Sequence, residues 1–217
     1  MVPQIKICCI SSISEAFAAI GAGASAIGLV GQMPSGPGVI PDSLIFEIAK
    51  AVPATVGTFL LTSETSVKEI INHHKRTQTN TIQLVDALSE GSYRQLRNAL
   101  PGVRLVQVIH ITDERSVAEA LKVSGQVDAL LLDSGNPELE IKDLGGTGRT
   151  HNWKISRRIC ENVNVPVYLA GGLNISNVRQ AIEEVSPYGI DLCSGVRTNG
   201  LLDREKLGLF IRAATQS

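Results

Sequence analysis

Apolar, β-branched runs alternate with amphipathic stretches along the chain. Short continuous apolar runs read as strands buried on both faces. They predict strands at Ile5–Ile10, Ala24–Val30, Thr55–Leu61, Thr81–Leu84, Arg104–Ile109, Val127–Leu132, Val165–Leu169 and Gly189–Cys193. Between them, helical periodicity predicts helices at Ser14–Gly21, Ser43–Ala51, Ser63–Lys75, Ser89–Ala99, Asp113–Val123, about Asn152–Glu161, Ser176–Glu184 and Arg204–Ala214. In the first helix Glu15 is expected outside and Phe17, Ala18 and Ile20 inside. In the third, Val67, Ile70 and Ile71 share a face. Gly31 to Ile40 and Asp133 to Thr150 are expected loops. Eight strand–helix units predict a single-domain (β/α)8 TIM barrel over residues 1–217, with a doubly wound open sheet as the structural rival.

Composition narrows the function classes. The 217 residues carry 20 Lys and Arg against 21 Asp and Glu, a net charge of -1. So even a balance offers no electrostatic footprint for nucleic acid or an anionic membrane. No apolar run approaches the roughly 18 residues of a membrane helix. Met1 to Ile10 enters a strand directly and does not read as a signal peptide. The four cysteines, Cys8, Cys9, Cys160 and Cys193, form no C-x-x-C motif and no disulfide framework. A reducing cytoplasm is the expected compartment.

In a barrel, chemistry sits at the carboxyl ends of the strands. Three glycine-bearing segments fall there: Gly145-Gly146-Thr147-Gly148, Ala170-Gly171-Gly172-Leu173 and Ser194-Gly195-Val196. Glycine allows close backbone approach, and exposed N–H groups favour an anion. A phosphate site is expected at Gly146, Thr147, Gly148, Gly171, Gly172, Ser194 and Gly195. The alternative is that these glycines only turn the chain.

Lys6-Ile7-Cys8, Gln83-Leu84, Leu132-Asp133-Ser134, Gly145-Gly146-Thr147-Gly148 with Trp153 following, Ala170-Gly171-Gly172-Leu173-Asn174 and Ser194-Gly195-Val196 occur in this order. Across nearly the whole chain the pattern resembles the phosphoribosylanthranilate isomerase family. The resemblance implies a small barrel enzyme of tryptophan biosynthesis that needs no cofactor and no metal. It converts a phosphoribosyl aminoaldose to an aminoketose by an Amadori rearrangement. It also implies Cys8 as general base and Asp133 as general acid. A thiolate base needs a pKa lowered by a cationic or dipolar neighbour, and Lys6, two residues away on the same strand face, is one candidate. Asp133 must be protonated when it acts, so burial or a like charge should raise it. Without the resemblance, Cys8 would read as a small buried hydrophobe and Asp133 as a cap.

The sequence departs from the family pattern at several places. Cys9 replaces the glycine of Lys-Ile-Cys-Gly. The usual Ser-Pro-Arg after the second strand, whose Arg grips the anthranilate carboxylate, is here Met33-Pro34-Ser35, with no Arg or Lys between Gly31 and Phe46. Strand four ends in Val85-Asp86, and Arg197 stands where the family has Glu. Arg197, Arg149 and His110 are the replacement cations considered, and Lys6, Gln83 and Arg197 are the expected substrate-positioning residues. The alternatives to the isomerase are a related barrel enzyme acting on another phosphorylated sugar derivative, and a non-catalytic binder of a phosphorylated metabolite. The expected partner is a phosphorylated small molecule, and the chain is expected to be a monomer or homodimer. His73 and His74 read as a solvated helix face, His151 as a cap, Trp153 and Cys160 as packing residues. Strand eight adjoins strand one in a closed barrel, so a Cys8–Cys193 or Cys9–Cys193 disulfide is open.

Overall fold

Eight strands pair in parallel in chain order: β1 (Gln4–Ile7), β2 (Ala26–Val30), β3 (Gly57–Thr62), β4 (Thr81–Leu84), β5 (Arg104–His110), β6 (Ala129–Asp133), β7 (Val167–Leu169) and β8 (Gly189–Leu192). The structure is a computed structural model and describes residues 2–135 and 150–216. β8 pairs back onto β1, with Lys6 opposite Asp191 and Ile7 opposite Leu192. That closure removes any free sheet edge and excludes the open-sheet rival. The helices follow the strands in turn: α1 (Ile13–Ala22), α2 (Asp42–Ala51), α3 (Val67–Thr77), α4 (Tyr93–Ala99), α5 (Arg115–Ser124), α6 (Trp153–Asn162), α7 (Val178–Val185) and α8 (Arg204–Thr215). The architecture is the expected (β/α)8 barrel.

Alternation along each strand makes two apolar layers. Ile5, Ile7, Ile27, Leu29, Leu60, Ile82 and Leu84 join the cluster between sheet and helices. Ala26, Val30, Phe59, Leu61, Val106, Val108, Leu131 and Tyr168 fill the barrel interior. Each Ile or Leu taken fully out of water contributes about 1.5–3 kcal/mol, which is why the strands read as unbroken apolar runs. Lys6 and Cys8 fall on the interior side by the same alternation.

Helix starts follow the caps. Ser66 Oγ accepts from Glu69 N at 3.3 Å, so α3 begins at Val67 and not at Ser63. Ser92 caps α4, which begins at Tyr93 and not at Ser89. Such a cap is worth about 1 kcal/mol, enough to fix where a helix starts. The α1 expectation is corrected. Its buried residues are Ala16 and Ala19, while Phe17 is 48% exposed. Small residues let the helix sit close to the sheet, and the larger ring turns out. His73 is likewise buried, not solvated. Its Nδ1 lies 2.9 Å from Thr62 Oγ1 and its Nε2 3.1 Å from Asp42 Oδ1. Trp153 packs against the outer cluster, as expected. Beyond β8 the chain makes an unanticipated single 3-10 turn (Ser194–Val196) and a small hairpin, β9 (Arg197–Thr198) with β10 (Leu201–Leu202).

Candidate active site

The carboxyl ends of the strands ring one pocket. Cys8, just past β1, and Asp133, the last residue of β6, both line it and are 6% and 8% exposed. Cys8 N donates to Leu192 O at 2.8 Å, which pins it to β8. Asp133 Oδ1 accepts from Ser134 N at 2.8 Å. Gln83 and Asp191 also line the pocket, and both are buried. Among the described residues, Gln83 Oε1 has no hydrogen-bond partner. The pocket thus presents a thiol, two carboxyl groups and an amide among mostly apolar walls.

Lys6 is not where the substrate-positioning expectation puts it. It is fully buried and does not line the pocket. Its Nζ lies 2.8 Å from Asp191 Oδ2 and 5.2 Å from the Phe59 ring centroid. Burial pulls the ammonium down, but Asp191 and Cys8 together outweigh it and hold Lys6 above its ordinary value. The expected lowering of the Cys8 thiol is also reversed. Burial pushes it up to about 11, Lys6 offsets only part of that rise, and Asp191 adds to it. The strand after β1 explains how three such groups fit together. A Cβ at Gly28 of β2 would sit 2.6 Å from Cys8 Sγ and 3.1 Å from Lys6 Nζ. Gly28, packed against Cys8 and Lys6, and Asp191, lining the pocket, are positions that the sequence reading did not single out as site residues. The available signals were a glycine and a carboxylate inside otherwise apolar strands.

One end of the pocket suits a phosphate. Gly171 and Gly172 have φ of +84° and +63°, left-handed backbone that favours glycine. Both line the pocket, together with Ser194. Gly195 lies behind them, and a Cβ there would collide with the Leu173 carbonyl. The two loops after β7 and β8 therefore come together only because Gly195 has no side chain. Gly146, Thr147, Gly148 and Arg149 lie outside the described residues. The opposite end is walled by Val30, Met33, Leu61 and the 35–37 segment, apolar surface for an aromatic ring.

The replacement cations are not in this wall. Arg197 does not line the pocket. Its Nη1 donates to Gly200 O at 2.9 Å, and its Nη2 to the carbonyls of Cys8 and Cys9 and, at 3.2 Å, to Glu15 Oε2. Glu15, expected to be exposed, is drawn in by this clasp and by Ser11 N and Leu202 N. Burial pushes its carboxyl up, but these donors outweigh it and hold Glu15 below its ordinary value. His110 lies off the pocket, with Nε2 2.9 Å from the Val85 carbonyl. Among the described residues, no Arg, Lys or His lines the pocket. His151, behind Gly171, has Nε2 2.7 Å from Ser156 Oγ, and burial pulls it down to about 4, so it is neutral. Of the two disulfides left open, the structure has Cys9–Cys193, with Cα atoms 5.9 Å apart; Cys8 is free. Among the described residues, no cluster of three or more His, Cys, Asp or Glu could hold a metal ion, and no helix is long and apolar enough to cross a membrane.

Comparison with known proteins agrees with this geometry. The family model "N-(5'phosphoribosyl)anthranilate (PRA) isomerase" matches residues 5–213. The N-(5'-phosphoribosyl)anthranilate isomerase of Haloarcula marismortui is 32% identical over 216 residues, covering 99% of this chain and 97% of the relative. That of Nostoc punctiforme is 35% identical over 206 residues, covering 94% of each. The crystal structure of the phosphoribosyl anthranilate isomerase of Thermotoga maritima superposes with a TM-score of 0.80 at 26% identity, covering 98% of each chain. The chain belongs to the phosphoribosylanthranilate isomerase family.

Proposed function

We infer that this chain is an N-(5'-phosphoribosyl)anthranilate isomerase, an aldose–ketose isomerase of tryptophan biosynthesis, with Cys8 as general base and Asp133 as general acid. The observation that carries the assignment of roles is that these two buried groups, one just past β1 and one at the end of β6, line one pocket. Asp133 donates its proton to the ribose ring oxygen. The ring opens to a protonated Schiff base, and the carboxylate is left. Cys8, as thiolate, then takes the proton from C2, giving an enolamine that tautomerises to the aminoketose. The thiol is raised to about 11, so the base form is scarce at neutral pH. The Lys6 ammonium beside it keeps that form from being scarcer still. Gly171, Gly172, Ser194 and Gly195 hold the phosphate, and Gln83 meets the substrate's hydroxyl-bearing middle. The partner is a phosphorylated small molecule, and the compartment assigned is the cytoplasm. A dimeric enzyme underlies one Thermotoga maritima structure, and sedimentation velocity distinguishes monomer from homodimer here.

The test is steady-state turnover of freshly generated phosphoribosylanthranilate, followed by loss of its fluorescence. Turnover should fall about 10²–10⁴-fold in Cys8→Ala and in Asp133→Asn, the range of one acid–base group. Undiminished turnover in either variant removes that residue from its role. The replacement of the family's Ser-Pro-Arg by Met33-Pro34-Ser35 favours one second reading, a phosphorylated amino sugar with a different aglycone. Folded protein that binds inorganic phosphate but leaves phosphoribosylanthranilate unchanged would select it.

A further inference from the structure

We propose that the Cys9–Cys193 disulfide is a site of thiol–disulfide exchange, opened by a dithiol reductant, and that its state sets how firmly the pocket holds its phosphorylated substrate. The placement of the bond carries this. Cys9 directly follows the thiol of Cys8, and Cys193 directly precedes Ser194, so the bond ties the base to the phosphate end. The backbone seam between β1 and β8 reaches Cys8 N and Leu192 O, and the disulfide extends that seam one residue further. Cys9 also reaches the other end of the pocket. Its Sγ lies 3.7 Å from the Pro37 carbonyl, and Gly38 packs so closely that a Cβ there would be 2.5 Å from Cys9 Cβ. The bond therefore joins the strand end carrying the base to the loop after β8, and the loop after β2 packs against its Cys9 end.

Two further features mark the bond as reactive chemistry. Cys9 has φ +62°, a left-handed conformation that favours glycine, so a side chain stands there at a backbone cost. Cys193 is half-buried and lines the pocket, which gives a nucleophile a path to its sulfur. In the exchange a thiolate of the reductant attacks Cys193 Sγ. The Cys9–Cys193 bond breaks, and Cys9 leaves as a thiolate and takes a proton. The reductant's second thiol then attacks the mixed disulfide and releases Cys193, which is protonated in turn. The protein gains two electrons and two protons, and the dithiol becomes a disulfide.

The experiment compares oxidised protein with protein treated with a dithiol and then desalted. Thiol titration under denaturing conditions should find two thiols before treatment, Cys8 and Cys160, and all four cysteines after. Reduction should raise KM for phosphoribosylanthranilate, and Kd for inorganic phosphate, about fivefold or more, and reoxidation should restore both. Cys193→Ser should sit at the reduced values and not respond to the dithiol. Four thiols in the oxidised preparation, unchanged KM and Kd on reduction, or an equal response in Cys193→Ser would each overturn the proposal. The thiol count and phosphate affinity do not depend on the isomerase reading, so failure of that reading is seen separately.

Discussion

Cys8, Lys6 and Asp191 form a buried triplet in which each charge answers for another. Lys6 lowers the Cys8 thiol against burial, and Asp191 raises it. Alkylation of Cys8 by iodoacetamide should therefore accelerate with pH up to about 11 and be slow at neutral pH. A thiol that titrates near 8.5, the ordinary free value, would contradict this. Lys6→Met should move the thiol higher still and slow alkylation at pH 8. It also strands Asp191 without its partner, which costs about 3–5 kcal/mol for a buried pair. The double variant Lys6→Met, Asp191→Asn should recover much of that stability but not the alkylation rate, measured by urea unfolding beside the alkylation assay. Gly28→Ala drives a methyl group to 2.6 Å from Cys8 Sγ. Overpacking of this kind costs about 1–3 kcal/mol, and kcat should fall with it. Cys8 and Asp133 could be named from sequence because strand alternation and the family motif agree on them. Asp191 and Gly28 could not be ranked, because their importance is a distance across the barrel.

Elements gain their bounds from caps and their arrangement from loops that need specific backbone. The clasp of Glu15 joins the start of α1 to the β9–β10 hairpin through Arg197 and Leu202 N. Because the folded Glu15 carboxyl is depressed, its stabilisation is present above its unfolded value of 4.5 and fades as pH drops below it. Glu15→Gln should cost about 1.5–3 kcal/mol at pH 7, the worth of hydrogen bonds to a charged group. The gap to the parent should shrink at about pH 3, as urea midpoints at the two pH values would show. An equal gap at both would assign the effect to packing. At the phosphate end, Gly195→Ala must push the loop after β8 away from the Leu173 carbonyl. If the loop holds the phosphate, as proposed, KM should rise while kcat stays nearly constant. Ser66 and Ser92 show why these helix starts are hard to place from sequence: two serines precede each helix, and only the one whose hydroxyl reaches a backbone N–H caps it.

Closure of the whole barrel rests on the β1–β8 seam, and the disulfide spans it. The bond closes a loop with a sequence separation of 184 residues. A loop that long gives a chain-entropy stabilisation of about 5 kcal/mol at most. Urea unfolding with and without dithiol should therefore show a loss no larger than this, with a steeper dependence on urea concentration after reduction, because the unlinked denatured chain exposes more surface. If the loops after β7 and β8 hold phosphate, as proposed, inorganic phosphate at 100 times its Kd should stabilise the protein by about 2.7 kcal/mol, since only the folded chain brings both loops together.

The alternation of apolar runs and helical stretches was sufficient, without coordinates, to specify eight strand–helix units with strands buried on both faces, and the β1–β8 pairing then decided the closed barrel over the open sheet. Local pattern also placed Cys8, Asp133 and the glycines of the last two loops at the carboxyl end of the barrel. Tertiary structure alone decided the rest. Arg197 is consumed by Glu15 and backbone carbonyls and does not reach the pocket. Lys6 pairs with Asp191 and does not line the pocket. Cys9, not Cys8, is the cysteine whose sulfur meets Cys193. The physical reason is common to all three. A side chain's partner is set by distances across the closed barrel between residues far apart in sequence, whereas its face and its element are set by neighbours along the chain.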